Sequence, residues 1–146
     1  MNADERVFID TNVLVYLQSI DDEPKRAQAE KIVNAYRDAI ISTQVLNELA
    51  SVLVKKKKVQ PGKVHSIITG TAGAFYVREI NVSTIVAALA LMEETGSQIA
   101  YYDSLIVCSA LEAGCSLLFT EDMTDGMVVR GKLKIINPFR AGSADL

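Results

Sequence analysis

The feature that most constrains the fold of this 146-residue chain is the alternation of very short apolar runs with longer segments of helical periodicity. The runs are residues 7–9 (VFI), 39–42 (AIIS), 116–120 (SLLFT) and 133–136 (LKII), and residues 75–77 (FYV) are a candidate for one more. Such runs are too short for helices and lack a polar face, as expected of strands covered on both sides. The segments between them are 10 to 40 residues long and carry apolar positions three and four apart. This pattern implies an α/β fold, a three-layer α/β/α arrangement around a central parallel sheet of four or five short strands.

Local signals place the helices. After the first run, Asp10-Thr11-Asn12 leads into Val13, Leu14 and Leu17 at helical spacing. Asp21-Asp22-Glu23-Pro24 offers an N-cap with a proline in the first turn, and Ala27, Ala29, Ile32, Val33 and Tyr36 continue that helix. Thr43 is suited to cap a helix over residues 44–57. Pro61 and Gly62 precede a further helix over 63–71, which the Gly70 and Gly73 region is expected to end. Asn81 or Ser83 caps a helix through Ile85, Val86, Leu89 and Met92 that Gly96 stops, and Gly114 stops the one that begins near Asp103. Residues 138–146 read as a frayed tail. No repeat, low-complexity stretch or linker divides the chain, so residues 1–146 are expected to form a single domain.

Composition narrows the class of protein. Apolar residues make up 49% and charged residues 23%, which suits a chain with a real core and excludes a disordered one. No stretch approaches the roughly 20 apolar residues needed to span a bilayer, and charges occupy the place where a secretory signal would be apolar, so no membrane association and a cytoplasmic location are expected. Cys108 and Cys115 sit in an apolar helical pattern and are expected to be buried reduced thiols. The net charge of −3 does not suit a protein that holds nucleic acid by general electrostatics, although bound divalent cations would reverse the local sign at an acidic site.

In an open parallel sheet, ligands bind beyond the carboxyl ends of the strands, so acids just after strands or in the first turns of helices are the ones that carry chemistry. Asp10 follows the first run and Glu121-Asp122 the 116–120 run, while Glu48 and Asp103 lie near the starts of helices. Singly, each has an ordinary role as a helix cap, a dipole partner or a loop acid. Together at one sheet edge, Asp10, Glu48, Asp103 and Asp122 would repel unless cations neutralised them, and their hard oxygen donors suit Mg²⁺ or Mn²⁺. Such a site supports phosphodiester hydrolysis. The one histidine, His65, is remote in sequence, which excludes a two-histidine acid/base ribonuclease.

At these residues the chain resembles the PIN-domain family, and within it the toxin ribonucleases of VapBC toxin–antitoxin systems. The likeness rests on VFIDTNVLVY at residues 7–16, STQVLNE at 42–48, YDSLIVCSA at 102–110 and LFTED at 118–122, in the family's order and over nearly the whole chain. It implies a Mg²⁺- or Mn²⁺-dependent endoribonuclease that leaves 5′-phosphate and 3′-hydroxyl ends. By resemblance, Asp10, Glu48, Asp103 and Asp122 would be catalytic metal ligands, with Thr11, Asn12 and Thr120 orienting them. Glu121 and Asp125 are possible extra acids, because Met123-Thr124-Asp125-Gly126 departs from the family's frequent Asp-Phe pair; of the three, Asp122 is the expected ligand.

The resemblance also implies a homodimer and an antitoxin that blocks the site. Lys55, Lys56, Lys57 and Lys58 could contact RNA phosphates, or be a solvated helix end. A housekeeping PIN nuclease for RNA processing and a catalytically inactive PIN-like binding module are the alternatives; the second predicts the loss of an acid, and all four are present. A haloacid-dehalogenase-type phosphatase would need Asp where Asn12 stands, and a receiver domain would need paired acids and a lysine that the chain does not place.

Overall fold

A computed structural model describes residues 5–140. In chain order the elements are β1 (Val7–Ile9), α1 (Thr11–Leu17), α2 (Glu23–Ala35), β2 (Ile40–Ser42), α3 (Thr43–Lys55), α4 (Pro61–Ala74), β3 (Tyr76–Arg78), α5 (Val82–Glu94), α6 (Tyr101–Glu112), β4 (Leu117–Phe119), β5 (Val128–Val129) and β6 (Leu133–Ile136). They form one sheet of order β3-β2-β1-β4-β6-β5, parallel throughout except for β5, which pairs antiparallel with β6. The α/β fold with a mostly parallel sheet between helices agrees with the sequence pattern. The antiparallel β5 is an addition: two residues are too few to carry a period.

The central strands explain why the apolar runs are continuous rather than alternating. Phe8 and Ile9 of β1 and Leu118 and Phe119 of β4 are fully buried, because helices cover the sheet on both sides. Right-handed crossovers put the β1→β2→β3 connections on one face and the long β3→β4 connection on the other. Packing agrees: α1, α2, α3 and α4 contact one another as a group, whereas α5 packs on α6 and α6 lies against β2 and β6. Squeezed between α5 and the sheet, α6 buries every residue from Ser104 to Ala110, so it shows little amphipathic period. Cys108 and Cys115 are free and buried, and burial pushes the Cys115 thiol up to about 12.

Several boundaries differ from the sequence expectation for physical reasons. Ser42, not Thr43, caps α3: its Oγ accepts from the Val45 amide, while the Thr43 hydroxyl accepts from the amide of Ile80. Helix α4 passes through Gly70 and Gly73 and ends only where Phe75 turns extended. A mid-helix glycine costs only about 1 kcal/mol relative to alanine, less than the packing of Val64, Ile67 and Ile68 on the core returns. Gly96 and Gly114 do stop α5 and α6, at φ +60° and +73°; the next amides, of Ser97 and Cys115, reach back to the carbonyls of Met92 and Ala110. The expected tail does not include Pro138 and Phe139: Pro138 is buried and the Phe139 ring meets Tyr16 edge-on at 4.7 Å, while residues 141–146 of that expectation lie outside the described residues.

Candidate active site

Strand order reverses between β1 and β4, since β1 leads outward to β2 and β3 while β4 starts the other half of the sheet. The crevice beyond the carboxyl ends of two such strands is the usual ligand position in an open α/β sheet. The register pairs Val7 with Leu117, Phe8 with Leu118 and Ile9 with Phe119, and the Asp10 amide continues it by donating to the Phe119 carbonyl at 3.0 Å. Asp10 and Thr120 therefore emerge side by side. Helices α1, α3 and α6 all begin at this edge, so their positive N-terminal ends face the same crevice and favour negative side chains there.

Asp10 is the centre of a hydrogen-bonded web. Its Oδ1 accepts from the Thr11 amide at 2.7 Å, which makes it the N-cap of α1, and its Oδ2 accepts from the Thr120 hydroxyl at 2.8 Å. The Thr120 Oγ1 in turn accepts from Asn12 Nδ2 at 3.3 Å and from the Asp122 amide at 3.2 Å. Asn12 Nδ2 also donates to Asp122 Oδ2 at 3.0 Å, and the Glu121 amide donates to Asn12 Oδ1 at 3.2 Å. On the other side, the Thr11 hydroxyl donates to Glu48 Oε2 at 2.9 Å. Gln44, one turn before Glu48, donates to Glu48 Oε1 at 2.9 Å and to the Tyr102 carbonyl at 3.1 Å, joining α3 to the start of α6.

Electrostatics bring all four expected acids into one group. Asp10 is only 3% exposed, and its carboxyl is pushed up to about 7, chiefly by burial; the Thr120 and Thr11 bonds oppose the rise, and the charges of Glu48 and Asp122 add to it. Asp103, in the first turn of α6, is pushed up to about 6 by burial and then by Asp122 and Glu48. Asp10 and Asp103 are thus linked through the same two neighbours, Glu48 and Asp122. Thr11, Asn12 and Thr120 stand where orienting groups would be needed.

The other two acids of the 121–125 loop are engaged elsewhere. Glu121 accepts from Tyr16 Oη at 2.8 Å and pairs with Lys25 Nζ at 3.0 Å; Lys25 also donates to Tyr16 Oη at 2.9 Å. Asp125 accepts from the Asn137 amide and from Arg140, both at 2.8 Å, which hold its carboxyl below the usual range. Gln44, Tyr16 and Lys25 went unread in the sequence. Gln44 had a signal, its spacing of four from Glu48 on one helix face. Lys25 had none, because its partner lies 96 positions away. His65 is exposed on α4, apart from this web.

The donor set suits a hard divalent cation: carboxylate, amide and hydroxyl oxygens without nitrogen or sulfur. Mutual repulsion and the raised Asp10 and Asp103 carboxyls are the signature of a group that positive charge would relieve. As they lie, no three acidic, histidine or cysteine side chains among the described residues form a closed ion-binding group. Glu48 and Asp122 instead spend their oxygens on Thr11, Gln44 and Asn12. The residues fit a cation by the chemistry of their oxygen donors, while their side chains lie in an open arrangement that does not close around one.

A family model described as PIN domain matches residues 7–124. Comparison with curated proteins finds no match. Among solved structures, a toxin–antitoxin complex from Klebsiella pneumoniae superposes with a TM-score of 0.69 at 19% identity, covering 91% of this chain and 98% of that one. DNA-bound VapBC from Salmonella typhimurium gives 0.67 at 17% identity over 90% and 96% of the two chains. VapC20 of Mycobacterium tuberculosis, described as a sarcin–ricin loop cleaving toxin, gives 0.65 at 16% identity over 80% and 91%. At these identities the likeness is one of fold.

Proposed function

We propose, from the premise that this chain belongs to the PIN-domain family, that it is a Mg²⁺- or Mn²⁺-dependent endoribonuclease acting in the cytoplasm as the toxin of a type II toxin–antitoxin pair. The observation that carries the reading is the buried Asp10 carboxyl at the point where the sheet reverses order, which feels the charges of Glu48 and Asp122, the same two that act on Asp103.

Asp10, Glu48, Asp103 and Asp122 would hold the metal. When bound, it supplies neutralisation of these acids and activation of a water for in-line attack on phosphorus. Thr120 and the Thr11 amide fix both oxygens of Asp10, so its carboxylate presents one orientation to the crevice. Asn12 and Gln44 do the same for Asp122 and Glu48. In that reaction the water oxygen would bond to phosphorus and lose its proton to solvent while the bond to the 3′ oxygen breaks and that oxygen takes up a proton, which leaves 5′-phosphate and 3′-hydroxyl ends.

The solved structures of similar fold include toxins held by antitoxins, which supports a protein inhibitor that covers this crevice. A homodimer is proposed on α5, where Val82, Ile85, Val86 and Leu89 recur at helical spacing and are 77%, 39%, 60% and 54% exposed. A second copy of the same stripe would remove it from water by a twofold contact.

The test is cleavage of structured RNAs by the purified protein with and without Mn²⁺ or Mg²⁺, beside Asp10→Asn. Cleavage that needs metal and is lost in the variant is expected. Cleavage in chelator, or full activity in the variant, contradicts the reading.

A further inference from the structure

A cleft of about 530 Å³ opens from the carboxylate group and runs between α1 and α3. Glu48 and Asp122 line one end, Val15 and Val52 lie along it, and Lys56 and Lys57 line the other end. Glu48 and Val52 of α3 and Lys56, its C-cap residue with helical backbone, are spaced four apart and so share one stripe. The eight residue steps from Glu48 to Lys56 span about 12 Å at about 1.5 Å per step, roughly two to four nucleotide steps depending on stacking.

The lysine end is fixed in place by the chain reversal after α3. The Lys56 and Lys57 amides both donate to the Val52 carbonyl, at 2.9 and 3.1 Å. Lys58 takes φ +55° and the Val59 amide returns to the Leu53 carbonyl at 2.9 Å. Among the described residues neither Lys56 nor Lys57 forms a salt bridge; the Asp21 carboxyl is held below its usual range chiefly by the Ser19 hydroxyl, with a lesser contribution from the charge of Lys57. In a chain of net charge −3, two exposed cations lining the far end of a cleft whose near end is acidic form a distinct electrostatic feature.

We infer that this cleft seats a single-stranded segment of the nucleic-acid substrate, with the phosphate to be cut at the carboxylate group and a phosphate a few nucleotides away held by Lys56 and Lys57. The inference rests on the ribonuclease reading and adds a direction to it: the strand follows the axis of α3. Charge complementarity selects this occupant, since the cationic end matches a phosphate and the acidic end matches one only through metal. Lysines at this distance from the acids bind substrate without touching the reacting atoms, so they act on affinity and leave the chemical step alone.

The test uses the full chain carrying Asp10→Asn to suppress cleavage, with binding of a short fluorescein-labelled oligouridine followed by anisotropy across a salt series in Mg²⁺. Adding Lys56→Gln and Lys57→Gln is expected to raise Kd by about tenfold or more near 0.1 M salt, and to reduce the slope of log Kd on log salt by about 1.4, or about 0.7 per phosphate contact. Lys63→Gln with Lys132→Gln removes equal charge away from the cleft and is expected to change neither. With an otherwise wild-type chain, the cleft pair should raise KM at unchanged kcat.

Equal effects of the two pairs, or none from the cleft pair, overturn the inference. So does a cleft pair that leaves RNA binding intact but weakens binding of a polyglutamate peptide, which would assign the lysines to a protein contact. A wild-type chain that cuts RNA while the cleft pair is silent removes this inference alone; a wild-type chain that cuts no RNA removes the parent reading, and the anisotropy series still decides whether the lysines hold a strand.

Discussion

Asp10 bears the largest cost of the arrangement. Its carboxyl stands at about 7 in the folded chain against 3.8 in a free one, so the folded state keeps its proton over a range where the unfolded state has lost it. For this group, stability of the metal-free protein therefore falls as pH rises from about 4 to about 7 and levels off above. At about 1.4 kcal/mol per pH unit, the loss is on the order of a few kcal/mol. In Asp10→Asn the slope from this group should vanish, and the variant should melt higher than wild type at pH 8 in chelator, as read by thermal unfolding across pH. A wild type with flat stability from pH 4 to 7 would remove the burial argument. A second residue-level expectation concerns the 121–125 loop. Glu121→Gln and Asp125→Asn should retain RNA cleavage within a few-fold, because Lys25 with Tyr16 and Arg140 with the Asn137 amide already engage those acids. Asp122→Asn should lose it by orders of magnitude. The sequence left those three open because the partners that separate them come from α2 and from the segment after β6.

At the scale of elements, what was legible was what short-range physics decides. Continuous apolar runs marked β1, β2 and β4, since strands covered on both faces need no polar side, and β6 was marked by a short run that Lys134 interrupts on its exposed face. Asn81, Gly96 and Gly114 marked helix ends through bonds made within a few residues. Acids just after β1 and β4 marked the crevice because the sheet edge follows from the strands. What was not legible depends on distant contacts: the two-residue β5 that exists only by pairing with β6, and the continuation of α4 through two glycines under tertiary packing. That helix offers a clean measurement. A Cβ built on Gly70 or Gly73 meets nothing within 4 Å, so Gly70→Ala and Gly73→Ala should each stabilise the protein by about 0.5–1 kcal/mol in denaturant unfolding. Destabilisation would mean that the face of α4 is covered by something the fold of one chain does not contain.

For the whole molecule, the exposed stripe of α5 and the open carboxylate crevice are two surfaces that a single chain leaves unfinished among the described residues. Val86→Glu, with its side chain at the middle of the stripe, should shift sedimentation from dimer to monomer while α5 stays packed on α6 through Thr84, Ala88 and Leu91. A wild type that sediments as a monomer at high concentration would remove the dimer. The central claim, however, is that Asp10, Glu48, Asp103 and Asp122 gather at one sheet edge to hold a divalent cation. The most direct measurement is Mn²⁺ titration followed by the electron paramagnetic resonance of the free ion, in wild type and in a chain carrying Asp10→Asn with Asp103→Asn. Depletion of the free signal by wild type, and recovery of the full signal in the double variant, is the predicted result. Equal Mn²⁺ uptake by both chains, or none by wild type at millimolar metal, would contradict it.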